Sequence, residues 1–169
     1  GGEKSLIELM EGVEDIPGTA LYEGIEWGRW ESFPDYLDYI AGREYSLDIG
    51  AQIAHGAVRY YVMGERGSAN EDATAVDIAE MSTLVAQAIE AGALGFSTSR
   101  TIGHRSLWGS PVPGTFAPDE ELLAIATRIG GRYMGVDRAE EFGRRNGVPG
   151  ELIVRVTPSK VISAFDIAD

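Results

Sequence analysis

Between Ala91 and Phe116 the chain reads AGALGFSTSRTIGHRSLWGSPVPGTF. A helix closes at Gly92, a short apolar strand runs from Leu94 to Ser97, and a long polar loop then carries Arg100, His104 and Arg105. A strand that delivers polar groups at its C-terminal end is the layout of an active site on a parallel α/β sheet or barrel. This segment sets the expectation for the rest.

The flanking sequence extends that reading. Residues 3–10 have helical character, and 11–18 form an acidic turn region. The stretch 21–33 is aromatic and broken by glycines. Ser32 stands at an N-cap, with Pro34 in the first turn and Asp35 three positions on, and the helix reaches about Ile40. In SLDIGAQI (46–53), Leu47, Ile49 and Ala51 alternate with other residues, which predicts a strand. A short helix follows over 54–64, then a charged loop over 65–73. Thr74 caps the clearest helix, 75–91, with Asp77 completing the capping box. Its apolar stripe is Ile78, Met81, Val85 and Ala88, joined by Leu84 and Ile89. A further helix starts near Pro118 and stops at Gly130–Gly131. Strand, helix, helix, strand, helix is the order of a parallel α/β unit, which predicts part of a TIM-like barrel through about residue 130. Past that point the style turns to α+β. A charged helix is expected over 138–146 and two short strands around Pro158.

The charge distribution breaks at the same place. Through residue 130 there are 8 Lys and Arg against 21 Asp and Glu; after it the counts are 6 and 6. The domain expectation is therefore residues 1–130 and a segment of different character over 131–169. Chance variation between two segments is the alternative. A net charge of −13 repels phosphate backbones and argues against nucleic acid as a partner. No apolar run approaches the ~18 residues that span a bilayer, so no membrane segment is expected. Cysteine is absent, which removes disulfides and thiolate metal sites and suits the cytoplasm. The first residue is Gly rather than Met, which points to a natural start upstream.

His55 follows the first predicted strand, in IAHGAV, where Gly56 permits a sharp turn. A histidine there can bind metal, act as a base or hold a substrate carbonyl. It can equally hydrogen-bond the backbone and fix the turn. His104 lies beside Arg105. It is a candidate for recognising a carboxylate or carbonyl, with Arg100 or Arg105 supplying a two-pronged guanidinium contact; the alternative is an exposed loop histidine. Ser97, Thr98 and Ser99 close the second strand without the Gly-x-Ser-x-Gly pattern of a nucleophilic serine. They read as substrate contacts or loop caps. No catalytic residue is assigned. Trp27 and Trp30 read as packing beneath a loop, with a lid or interface as the alternative.

A hydrolytic two-metal centre takes several histidines plus a bridging carboxylate, modified lysine or thiolate. Two isolated histidines, no cysteine and only Lys4 and Lys160 do not supply that set, so no metal ligand is assigned. Glu11, Glu14 and Asp15 read as a solvated acidic turn.

Three segments together carry a resemblance: LMEGVEDIPGTALYEGIEWGRWESFPDYLDYI, DIGAQIAHGAVRYYVMGERG and ALGFSTSRTIGHRSLWGSPVPGTFAPDEELLAIA. In this order they resemble the central part of the N-acyl-D-amino-acid deacylases, the D-aminoacylase branch of the amidohydrolase superfamily, over about residues 5–129. The resemblance implies a TIM-like barrel, a zinc-type metal centre and hydrolysis of the amide bond of an N-acyl-D-amino acid. In that family a metal-activated water attacks the acyl carbonyl and an Asp shuttles the proton. The metal ligands come from regions without a counterpart here. What carries over is the His-Gly turn at His55 and Gly56, and the strand-end loop from Ser97 to His104, which in the family helps to shape the substrate pocket. The expected substrate-binding set is His55, Ser97, Arg100, His104 and Arg105.

The tail departs from this pattern. Residues 131–169, above all VPGELIVRVTPSKVIS, resemble the C-terminal end of split-barrel flavin- or deazaflavin-dependent oxidoreductases of the pyridoxamine-phosphate-oxidase-like group. The expectation is a fragment of a deacylase, inactive alone and binding no zinc of its own. The alternatives are an acidic module that binds or forms homo-oligomers through open sheet edges, and a flavin-protein remnant read from the tail.

Overall fold

The computed structural model describes residues 2–146. Its elements in chain order are α1 (Glu3–Glu14), α2 (Gly18–Gly24), α3 (Phe33–Ala41), β1 (Ile53–Ala54), α4 (His55–Met63), α5 (Glu65–Ser68), α6 (Ala75–Ala91), β2 (Phe96–Ser97), α7 (Asp119–Met134), a 3₁₀ turn (Val136–Arg138) and α8 (Ala139–Asn146). The two strands expected around Pro158 lie outside the described residues.

The expected α/β partial barrel is corrected by this architecture. Helices dominate, and the sheet among the described residues is a single parallel pair, Ile53 with Phe96 and Ala54 with Ser97. The cause lies in residues 46–52. Among the described residues their alternation has no partner strand along its length, and Leu47 is left 76% exposed, with Ile49 also exposed. Strand structure requires each backbone group to find a partner on a neighbour. Among the described residues the pairing extends beyond β1 and β2 through Ile53 N–H to the Gly95 carbonyl (3.0 Å) and Leu94 N–H to the Ala51 carbonyl (2.8 Å).

The helices follow from local chemistry. At the start of α3 the Ser32 hydroxyl accepts from the Asp35 N–H (3.2 Å), while the Asp35 carboxylate accepts from the Ser32 N–H (3.0 Å). Thr74 and Asp77 repeat the box before α6, at 3.2 and 2.8 Å. Hydrogen bonding from the Thr74 backbone, helped by its hydroxyl and by Arg66, holds the Asp77 carboxyl below its ordinary range. Gly92 closes α6 in the left-handed conformation, φ 112°. Each reciprocal cap satisfies two N–H groups that the helix leaves without partners.

Helix α6 organises the core, packing against α3, α4 and α7. Met81, Val85, Ala88 and Ile89 are buried along it with Ile53, Val58, Met63, Ala93 and Ile125, while Ile78 and Leu84 pack at its edge. The acidic stretch after residue 10 continues α1 to Glu14, and Asp15 ends the helix at φ 55°. The charged loop contains the one-turn helix α5. Helix α7 runs through Gly130 and Gly131 instead of stopping there. A Cβ at Gly130 would lie 2.9 Å from the Phe142 Cβ, so the glycine permits the close approach of α8. No described helix is long and apolar enough to cross a membrane.

Candidate functional site

Parallel pairing brings the C-terminal ends of β1 and β2 side by side, so His55, the first residue of α4, emerges next to Ser97 and Thr98. The His55 side chain is 1% exposed, and both ring nitrogens are engaged. Nδ1 lies 2.9 Å from the Thr98 hydroxyl and Nε2 lies 2.6 Å from Glu121 Oε1. An ionised carboxylate only accepts, so Nε2 carries the hydrogen of its contact with Glu121, and the Thr98 hydroxyl, which can donate or accept, completes the contact at Nδ1. Glu121 is 0% exposed and enters from the first turn of α7. One helical turn beyond His55, Arg59 is also buried, with its Nε 3.6 Å from Glu121 Oε1. That distance is an ion pair and too long for a hydrogen bond. Arg59 Nη2 donates to the Glu71 carbonyl. Among the described residues Glu121 Oε2 and Arg59 Nε and Nη1 have no hydrogen-bond partner. The paired opposite charges offset part of the cost of burying each of them.

The backbone is fitted to this cluster. Gly114 has φ +92°, and a Cβ there would lie 2.7 Å from His55 Nδ1, so only glycine allows the loop to pass the ring. Its N–H donates to Asn70 Oδ1 (2.9 Å), and the Asn70 amide donates to the Pro111 and Val112 carbonyls, both at 3.2 Å. Asn70 itself takes a left-handed conformation, φ 56°, which asparagine tolerates better than most residues. The loop between β2 and α7 is thereby tied to the end of α5 and to the imidazole.

On the outer side, His104 is exposed and its Nδ1 meets the Ser99 hydroxyl at 2.8 Å. Arg100 reaches Asp119 at the N-terminus of α7 through a single long contact, 3.4 Å. Arg105 donates to the Gly109 carbonyl (2.7 Å) within its own turn. Ser97 is half-buried in β2, opposite Ala54. The five expected residues therefore separate: His55 lies in the interior, whereas Arg100, His104 and Arg105 are on the surface loop.

Glu121, Arg59 and Asn70 are the members that sequence reading missed. Signals existed for two of them. Arg59 stands four residues after His55 on one helix, and Glu121 stands four before Ile125, the spacing that places side chains on one face. The three acids Asp119, Glu120 and Glu121 instead read as complements to the helix dipole. Asn70 gave no signal beyond a loop composition.

Among the described residues neither histidine stands in a zinc-binding set. Both nitrogens of His55 are already committed and His104 is exposed beside a serine. Among the described residues no three His, Cys, Asp or Glu side chains gather as a metal-binding group. Comparison of the chain with models of protein families, with curated proteins and with solved structures yields no match.

Proposed function

We propose that this chain is the substrate-recognising part of an amidohydrolase that cleaves the amide bond of N-acyl-D-amino acids, and that it does not hydrolyse them by itself. The deacylase resemblance over residues 5–129 supplies the substrate class. One observation carries the reading: the two segments of that resemblance that bear on substrate, His55-Gly56 and Ser97–His104, leave the same end of one parallel strand pair. In this reading Arg100 and Arg105 receive the substrate carboxylate. Each spends few of its five N–H donors within the protein. His104 and Ser97 face the acyl carbonyl. His55 acts at one remove, fixing Thr98 and with it the start of the loop. A cysteine-free chain suits the cytoplasm.

The test pairs a binding with a turnover measurement on the full chain. Calorimetric titration with N-acetyl-D-leucine is expected to show saturable binding that favours the D over the L enantiomer. Arg100→Ala should weaken it about tenfold, the size of one charge-assisted hydrogen bond. The zinc-supplemented chain should release no leucine. Equal binding of both enantiomers, or none, overturns the recognition reading; sustained release of leucine overturns the claim that the chain is inert alone.

A further inference from the structure

The buried ring of His55 has an outward side. Its Nδ1 lies 2.9 Å from the hydroxyl of Thr98, and Thr98, one residue past β2, is exposed. Behind the ring, Nε2 meets Glu121 Oε1 at 2.6 Å, with the two side chains 1% and 0% exposed. Arg59 places a positive charge 3.6 Å from the same oxygen. The ring is held further by Phe96, with centroids 5.3 Å apart, and by Gly114, where a Cβ would lie 2.7 Å from Nδ1. A hydroxyl, an imidazole and a carboxylate in line, with the base fixed by the third group, is the arrangement that activates a nucleophile. With Nε2 carrying its hydrogen toward Glu121, a neutral ring keeps its lone pair on Nδ1, the nitrogen that faces Thr98. His55 therefore offers no nitrogen to a ligand; what it presents to solvent is the hydroxyl it holds.

We propose that Thr98 is a nucleophile that accepts an acyl group from an activated ester or thioester, with His55 as its general base. Thr98 Oγ1 attacks the acyl carbonyl carbon while the hydroxyl proton passes to His55 Nδ1. The bond from that carbon to the leaving oxygen or sulfur then breaks. The leaving group departs with the electron pair, and the proton on Nδ1 goes to it or to water. The product is an acyl ester of Thr98. Water attacking this ester releases the carboxylic acid and restores the hydroxyl. Glu121 is a positioning residue: it touches no reacting atom and fixes the orientation of the ring. A secondary hydroxyl served by one base suits a leaving group that departs readily, so the class is an activated ester rather than the amide of an N-acyl amino acid. The inference therefore stands apart from the deacylase reading. The chain supplies its own comparisons. Ser99 meets His104 Nδ1 at 2.8 Å, but among the described residues no carboxylate stands behind that ring. Thr19 and Ser110 are exposed, with no imidazole against their hydroxyls among the described residues.

The test mixes the full chain with p-nitrophenyl acetate. A burst of about one equivalent of p-nitrophenolate per chain is expected, followed by slower release. Peptide mass mapping of the quenched sample should place the acetyl group on Thr98. Thr98→Ser keeps a hydroxyl and should retain the burst. Thr98→Val keeps the shape without the hydroxyl and should lose it. The position is exposed, so both variants should unfold like the parent chain. Glu121→Gln should slow the burst about a hundredfold while its amplitude stays at about one equivalent. A purely structural role would lower the amplitude instead. The Thr98 pair decides the proposal even where Glu121→Gln weakens the fold. No burst, or a burst unchanged in Thr98→Val, would overturn it. So would acetylation of Ser99 in preference to Thr98, or acetylation of Thr19 and Ser110 to the same extent as Thr98.

Discussion

His55 and His104 are the only histidines of the chain, and each presents Nδ1 to a hydroxyl, Thr98 at 2.9 Å and Ser99 at 2.8 Å. They differ in what stands behind the ring. His55 is backed by a buried carboxylate at 2.6 Å and walled by Gly114, with Arg59 completing the charge balance. Among the described residues His104 has no such backing, and it is exposed. The same pair of groups is thus a structural rivet in one environment and an available surface in the other. Burial and the third partner decide which, because a ring with both nitrogens satisfied has nothing left to offer a ligand.

The strongest way to break this contrast is to remove the backing group. Glu121→Ala strands His55 and Arg59 in the interior and should cost about 3–5 kcal/mol by chemical denaturation. His104→Ala should change stability by no more than about 0.5 kcal/mol, as expected for an exposed position. Comparable losses in the two variants would erase the distinction between the histidines. A smaller effect is expected at the wall. Gly114→Ala introduces a Cβ against the imidazole at a φ that side chains rarely adopt, for a loss of at least about 1–3 kcal/mol. Its His55 ring signal should move in the NMR spectrum while that of His104 stays in place.

The smallest effect concerns pH and lies away from both rings. Asp77 is held below the ordinary carboxylate range, first by the Thr74 backbone and then by the Thr74 hydroxyl and Arg66. A depressed folded value means stability that is fully present above the unfolded-state pKa and is lost as pH falls through the folded one. Asp77→Asn should therefore flatten the acid side of a melting-temperature profile and leave its neutral-to-alkaline slope unchanged. Thr74→Ala should lower stability by about 1 kcal/mol through loss of the same cap.

The features legible in the sequence are those written by neighbours in the chain. Both capping boxes, Ser32 with Asp35 and Thr74 with Asp77, depend on residues three apart, and the stripe of α6 depends on helical spacing. The position of His55 after a strand and the polar loop after Ser97 were legible for the same reason. Strand length was not. Leu47 and Ile49 alternate as a strand does, yet extended structure needs a partner that no local pattern can supply, so the pairing shrinks to Ile53–Ala54 with Phe96–Ser97. The depth of His55 was hidden likewise, because Glu121 lies 66 residues away. Its three-acid context reads as a complement to the helix dipole. Gly130 and Gly131 read as a stop because their use as a seat for α8 is a tertiary fact.

The central claim is that the two histidines divide their labour, one holding the fold and the other facing the ligand. With only two imidazoles in the chain, their ring signals can be followed individually by NMR during a titration with N-acetyl-D-leucine. The account predicts that the His104 signals shift and saturate while those of His55 stay within experimental error. Shifts at His55 with none at His104, or no shift at either, would contradict it.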